Sequence, residues 1–200
     1  MKETWNMRYQ QQEFAYGKSA NVFLEKQLML LKPGKILLPA EGEGRNAVFA
    51  ARQGWQVTAF DFSEEGSKKA LAYADSVGVT INYEVCDAAD FKTDQQFDAL
   101  ALIYTHFGSQ QRKMLFTRFI QFLKPGGTLI MEVFSKNQLG RSSGGPKDLD
   151  LLYSVEEMQK LFPTIRFSYC KEELVELNEG PYHQGEAVVI RLTGWKEAGQ

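Results

Sequence analysis

The stretch Lys35-Ile36-Leu37-Leu38-Pro39-Ala40-Glu41-Gly42-Glu43-Gly44-Arg45-Asn46-Ala47, with Asp61 standing 17 residues after Gly44, sets the architecture. Lys35 to Ala40 is an apolar run of strand length. Arg45 to Gln53 places Ala47, Val48, Ala50 and Ala51 at helical spacing, and Trp55 to Phe60 is a second strand that ends at Asp61. Glycines between strand and helix let the backbone turn sharply and approach a ligand closely, and a carboxylate at the tip of the second strand can accept both hydroxyl hydrogens of a ribose. A nucleoside cofactor is therefore expected. Gly42-x-Gly44-x-x-Ala47 also satisfies the dinucleotide fingerprint, so a nicotinamide-dependent oxidoreductase stands as an alternative on this stretch alone.

The remaining chain repeats the alternation of short apolar runs with helical periodicity that marks βαβ proteins. Ser19 to Leu31 reads as a helix ended by Pro33-Gly34. Ser63 opens a further helix that runs to Val77, with Gly78 behind it; Thr80 to Cys86 is strand three. Phe97 to Tyr104 is apolar on both faces, as a central parallel strand should be. Gln110 to Leu123 is a helix stopped by Lys124-Pro125-Gly126-Gly127, and Thr128 to Phe134 is strand five. Residues 136–148 hold Gly140, Gly144, Gly145 and Pro146 among polar residues and read as a lid candidate. After a short helix at Val155 to Phe162, Thr164 to Leu177 and Gly185 to Leu192 have no helix between them and should be antiparallel. No repeat or linker divides the chain, so residues 1–200 are expected to form one domain: a helical cover at 1–34, a βα core at 35–135, the lid candidate at 136–148, and a helix and hairpin at 149–200.

Composition narrows the function. The 200 residues are 44% hydrophobic and 24% charged, the range of a packed globular domain. The 23 Lys and Arg against 25 Asp and Glu give a net charge of -2, a poor match to nucleic acid. Cys86 and Cys170 form neither a disulfide framework nor a zinc spacing, which points to a reducing compartment. The N-terminal stretch has no apolar signal region, and no segment is apolar over the roughly 18 residues of a membrane span. A cytoplasmic chain with no metal, membrane or protein partner is the expectation.

Beyond the glycine turn, the sequence carries Tyr16-Gly17 before its first helix, Asp61-Phe62-Ser63, Cys86-Asp87-Ala88 and Leu123-Lys124-Pro125-Gly126-Gly127. With these pieces it resembles the class I S-adenosylmethionine (SAM)-dependent methyltransferases, in particular the small-molecule type that includes the tellurite-resistance enzymes, over nearly the whole chain. The resemblance implies an α/β fold, a three-layer Rossmann-like seven-stranded sheet, mostly parallel with an antiparallel C-terminal strand pair. It implies methyl transfer from SAM to a small-molecule acceptor. Gly42 and Gly44 would face the methionine part of SAM, Asp61 the ribose, Phe62 the adenine face and Asp87 the adenine amino group. Tyr16, Ser63, Ala88 and Tyr104 would also line the cofactor.

One position departs from that pattern: the acid usual at the end of strand one is replaced by Leu38. A buried α-ammonium needs an acceptor, and Glu41 or Glu43 in the loop could supply it. The loss also leaves room for a SAM-binding protein without catalysis. At the tip of strand four, Tyr104-Thr105-His106-Phe107 makes His106 the candidate catalytic base. Arg45 and Arg141, with Lys147, are candidates for an anionic acceptor, and Trp5, Tyr9 and Tyr16 for an aromatic cover. His183, in the late turn, is expected to be a solvated residue.

Overall fold

The computed structural model describes residues 2–198. In chain order the elements are α1 (Lys2–Tyr9), α2 (Val22–Leu28), β1 (Lys35–Pro39), α3 (Arg45–Arg52), β2 (Gln56–Asp61), α4 (Glu64–Ser76), β3 (Asn82–Val85), β4 (Phe97–Ile103), α5 (Ser109–Gln121), β5 (Leu123–Phe134), α6 (Val155–Leu161), β6 (Ile165–Glu179) and β7 (His183–Lys196). The strands form one seven-stranded sheet in the order β3-β2-β1-β4-β5-β7-β6. The first five are mutually parallel; β7 runs antiparallel to both β5 and β6.

Side-chain alternation along each central strand explains the layers. Leu37, Leu100, Leu102, Leu129 and Met131 point to one face and pack with Leu115, Phe116 and Phe119 of α5 and Met158 and Leu161 of α6. Ile36, Leu38, Ala99, Ala101 and Ile103 point to the other face, against Leu24 and Leu28 of α2, Ala47 and Val48 of α3, and Ala70 and Ala74 of α4. Both faces are covered, which is why the strands read as continuous apolar runs. Each fully buried Leu, Ile or Phe contributes about 1.5–3 kcal/mol, so these two clusters carry the bulk of the folding energy.

Local signals fix the ends. Ser63 caps α4, its hydroxyl accepting from the Gly66 amide, with two glutamates in the first turn. Asn21 caps α2, which therefore starts at Val22 and not at Ser19. The Lys124-Pro125-Gly126-Gly127 stretch does end α5, yet it is taken into β5: Leu123 pairs with Phe97, the register shifts, and Thr128 pairs with Ala99. The hairpin is longer than the sequence suggests, because Trp195 and Lys196 still pair with Arg166 and Ile165, and His183 with Glu179.

At the turn after β1, Gly44 has φ +84°, and a Cβ there would lie 2.5 Å from the Ala70 side chain and 2.8 Å from the Ala70 backbone. Gly44→Ala combines a left-handed backbone with a clash against α4, and should lose about 2–4 kcal/mol of stability. Urea titration with an unchanged m-value checks this.

Candidate functional site

The glycine turn lies at the carboxyl ends of β1 and β2, where ligands of open α/β sheets gather. Ala40 (φ +53°) and Gly42 (φ +64°) bend the chain away from β1. Leu38 is wholly buried in the apolar layer, so no acid reaches the site from the end of β1. Glu41 stands near that place instead. Its Oε1 accepts from the amides of Asn46 and Ala47 at 2.9 and 2.7 Å, closing the first turn of α3. Burial, opposed by those amides, by Arg45 and by the Asn46 side chain, raises its pKa to about 7. Glu43 is committed elsewhere: it accepts from the Ala15 amide at 2.8 Å and pairs with Lys69, fastening the N-terminal segment to α4.

Asp61 accepts from the Ser63 amide at 2.8 Å and from the Gly42 amide at 3.2 Å. With no cation beside it, burial raises its pKa to about 6. The Phe62 amide also supports the carboxylate, whose two oxygens offer about four acceptor positions in all. Phe62, next to Asp61 at the end of β2, is half-buried and belongs to none of the apolar clusters among the described residues. Ala88 is buried; Asp87 is exposed and accepts from the Ala89 amide through Oδ1, with Oδ2 unengaged. Tyr9 packs onto the turn: a Cβ on Gly42 would meet its hydroxyl at 2.6 Å. A nucleoside bearing a cationic tail fits the chemistry of this set, which holds two buried carboxylates, an aromatic ring and an exposed acid at neighbouring strand ends.

The tip of β4 and the β6–β7 hairpin form the other side. Tyr104 adopts φ +51° and donates its hydroxyl to Glu132 at 2.7 Å. His106 sits against Leu151, whose carbonyl must accept from Nδ1–H at 2.8 Å, so Nε2 carries the lone pair. That Nε2 is enclosed without a partner, and burial lowers the pKa to about 4. His183 corrects an expectation. It is 4% exposed, not solvated, because Tyr16 packs 4.4 Å from its ring and Tyr104 4.6 Å away. Its Nδ1 lies 3.1 Å from Glu179 Oε2. Burial would raise the pKa of Glu179, but His183 and Arg45 hold it down to about 2.

Of the two candidate arginines, Arg45 is turned inward, pairing with Glu179 at 3.0 Å and donating to the carbonyls of Tyr16 and Ser19. That engagement leaves it a structural cation, not an acceptor-binding one. Arg141 is exposed and pairs with Glu186 at 2.7 Å. The 136–148 segment is pinned by Gln138, which donates to Ser143 and Gly144 and accepts from the Val188 amide. Glu132, Glu179, Asn21 and Arg191 escaped the sequence reading. A lone acid within the apolar run Leu129-Ile130-Met131-Glu132-Val133-Phe134 was the available signal, since a charge buried in a central strand demands partners.

Residues 36–127 match the methyltransferase domain family, and the full sheet, with its antiparallel last pair, follows the same topology. The match covers 92 of the 200 residues, the βα core with the glycine turn and Asp61, and makes the chain similar to methyltransferase domains there. Over 95 residues the chain is 27% identical to a ubiquinone biosynthesis O-methyltransferase of Rickettsia canadensis. That stretch covers 48% of this chain and 40% of the relative, so the match spans less than half of either protein. In structure the chain is similar to TehB from Haemophilus influenzae, with a TM-score of 0.75 at 12% identity, covering 98% of this chain and 67% of that one. It is also similar to the 1,6-didemethyltoxoflavin-N1-methyltransferase of Burkholderia thailandensis, solved with 1,6-didemethyltoxoflavin and S-adenosylhomocysteine. There the TM-score is 0.66 at 18% identity, over 88% of this chain and 77% of that one. At such identities the structural likeness is one of fold. No helix among the described residues is long and apolar enough to cross a membrane.

Removing one member of the buried Arg45–Glu179 pair strands the other. Arg45→Met should cost about 3–5 kcal/mol, read by urea unfolding. Because the Glu179 pKa falls from 4.5 to about 2 on folding, its contribution is full above that range and is lost as pH drops through it. Glu179→Gln should therefore trail the wild type in Tm at pH 6 and close the gap as pH falls toward 2.

Proposed function

We propose that this chain transfers the methyl group of SAM to a small-molecule acceptor by in-line displacement. The observation that carries the reading is the meeting of two half-sites on one sheet edge. Glu41, Gly42 and Asp61 offer cofactor-binding groups at the tips of β1 and β2, and a Glu179–His183 pair lies beside Tyr104 beyond β4. The small-molecule class draws support from the ubiquinone and toxoflavin enzymes, whose names state such acceptors. A cytoplasmic location is the reading that best suits the free cysteines Cys86 and Cys170.

SAM supplies a methyl already activated on its sulfonium, so the residues mainly position, exclude water and move a proton. Asp61 would hold the ribose hydroxyls, Phe62 and Ala88 the adenine face, and Asp87 the exocyclic amine. Gly42 and Gly44 would lie along the methionine chain, with Ser63, Tyr16 and Tyr104 completing the wall. Glu41 would take the role lost at Leu38 by accepting from the α-ammonium through its carboxylate. His183 is the better proton acceptor of the two histidines. Its Nδ1–H is directed at Glu179, which fixes the tautomer, leaves Nε2 as the lone pair and stabilises the imidazolium once formed. His106, with its pKa near 4, would accept a hydrogen bond from the acceptor and orient it without holding its proton.

Asp61→Ala should weaken SAM by about 1.5–3 kcal/mol in calorimetry, since hydrogen bonds to a charged acceptor disappear. Glu41 ionises at about pH 7 before the ammonium arrives, so SAM affinity should rise with pH through that value, and binding below it should release a proton. Glu41→Gln should keep the helix cap and abolish that pH dependence. His183→Ala should lower turnover about 100-fold or more while SAM affinity holds, and His106→Ala should act mainly on the acceptor's KM. Methyl release from labelled SAM across thiols, phenols, amines and oxyanions tests the whole reading; binding without turnover on any acceptor would leave a SAM-binding protein.

A further inference from the structure

We propose that Arg8 and the hydroxyl of Tyr16 form an anion grip at the mouth of the site, taking a carboxylate or small oxyanion carried by a ligand. The proposal rests on the methyltransferase reading above. By contrast, Arg45 is paired with Glu179, Lys69 with Glu43, and Arg191 with Glu132 and Glu173. Arg8 is half-buried and has no carboxylate within ion-pair distance among the described residues. The rings of Trp5 and Tyr182 lie 4.6 and 4.5 Å from its Cζ, and its Nη1 donates to Tyr16 Oη at 2.7 Å. Aromatic faces satisfy a guanidinium above its plane and leave its in-plane N–H groups untouched.

Four of the five N–H donors of Arg8 have no partner among the described residues, and an arginine cannot neutralise itself by losing a proton. Tyr16 accepts from Arg8, so its own O–H proton is free to donate. Burial keeps that phenol protonated. Two kinds of donor, one of them charged, thus stand side by side, which is the donor set a carboxylate or tetrahedral oxyanion takes up. The location is set by Tyr16, whose ring packs 4.4 Å from His183 and 6.2 Å from Tyr182. The grip lies on the hairpin side, one ring away from the proposed proton acceptor. Either the α-carboxylate of the cofactor's methionine or an anionic group of the acceptor would reach it.

The full chain, wild type and Arg8→Gln, is titrated by calorimetry with S-adenosylhomocysteine and with 5′-methylthioadenosine, which shares the nucleoside thioether and lacks the amino-acid end. A loss of about 10- to 100-fold for the first ligand alone assigns the grip to the cofactor's carboxylate. If both affinities hold, sulfate is titrated at constant ionic strength onto the S-adenosylhomocysteine complex. A rise in Tm in the wild type that Arg8→Gln loses and Arg8→Lys partly restores assigns the grip to the acceptor. Tyr16→Phe, which keeps the ring, should shift the same ligand in the same direction by less. Equal weakening of both nucleosides, or no difference between wild type and variant in any arm, overturns the proposal and leaves Arg8 as a fastener of the cover. A wild-type chain that binds neither nucleoside would overturn the methyltransferase reading instead.

Discussion

The ion pair between Arg45 and Glu179 joins the start of α3, directly behind the glycine turn, to the end of β6, directly before the hairpin turn. Both side chains are about 8% exposed, so neither could be left there alone. Desolvation offsets much of the Coulomb attraction in such a pair, and its value lies less in net stability than in permitting a single arrangement. Around it the surrounding polar groups fall into place. Glu179 also accepts from Asn21 and faces His183; Asn21 donates in addition to Glu132; Glu132 receives the Tyr104 hydroxyl and the Arg191 guanidinium. Two halves of the sheet edge that are far apart in sequence are thereby held in one register.

The carboxyl groups of this region divide by the company they keep. Glu179, with an arginine and a histidine against it, stays ionised to about pH 2. Glu41, which has Arg45 nearby but no ion pair with it, and Asp61, supported by backbone amides, are lifted to about 7 and about 6. Burial acts on all three, and the presence of a fixed cation decides the outcome. The first kind of acid is architecture. The second kind keeps a protonation equilibrium within reach of neutral pH.

Much of the fold was legible because its signals are local. The glycine turn, the Ser63 cap and the both-faces-apolar strand β4 need no partner to be recognised. The same holds for the acid at Asp61, whose place at the end of a strand is a matter of counting. The hairpin resisted for the opposite reason. His183 sits between Gly180-Pro181-Tyr182 and Gly185, a composition that reads as solvated turn, and only the approach of Tyr16 and Tyr104 from distant segments encloses it. Arg45 looked available because a cation after a glycine turn faces a ligand as readily as an acid; that Glu179 would arrive from 134 positions away is a tertiary fact. Leu38 was informative in both directions, marking a missing acid and directing attention to Glu41.

The placement of β6 at the outer edge of the sheet has a consequence for how copies of this chain meet one another. A strand of 15 residues with one unpaired edge is a template onto which a further strand, from a second molecule or a partly unfolded one, could be added. Here the strand is dense in charge: Lys171, Glu172 and Glu176 are exposed, and Glu173 is drawn aside toward Arg191. A strand docking on that edge would have to desolvate several acids in succession. The hairpin that shapes the site is thus guarded along its open side against edge-to-edge aggregation, and the opposite edge, β3, is too short at 4 residues to nucleate it.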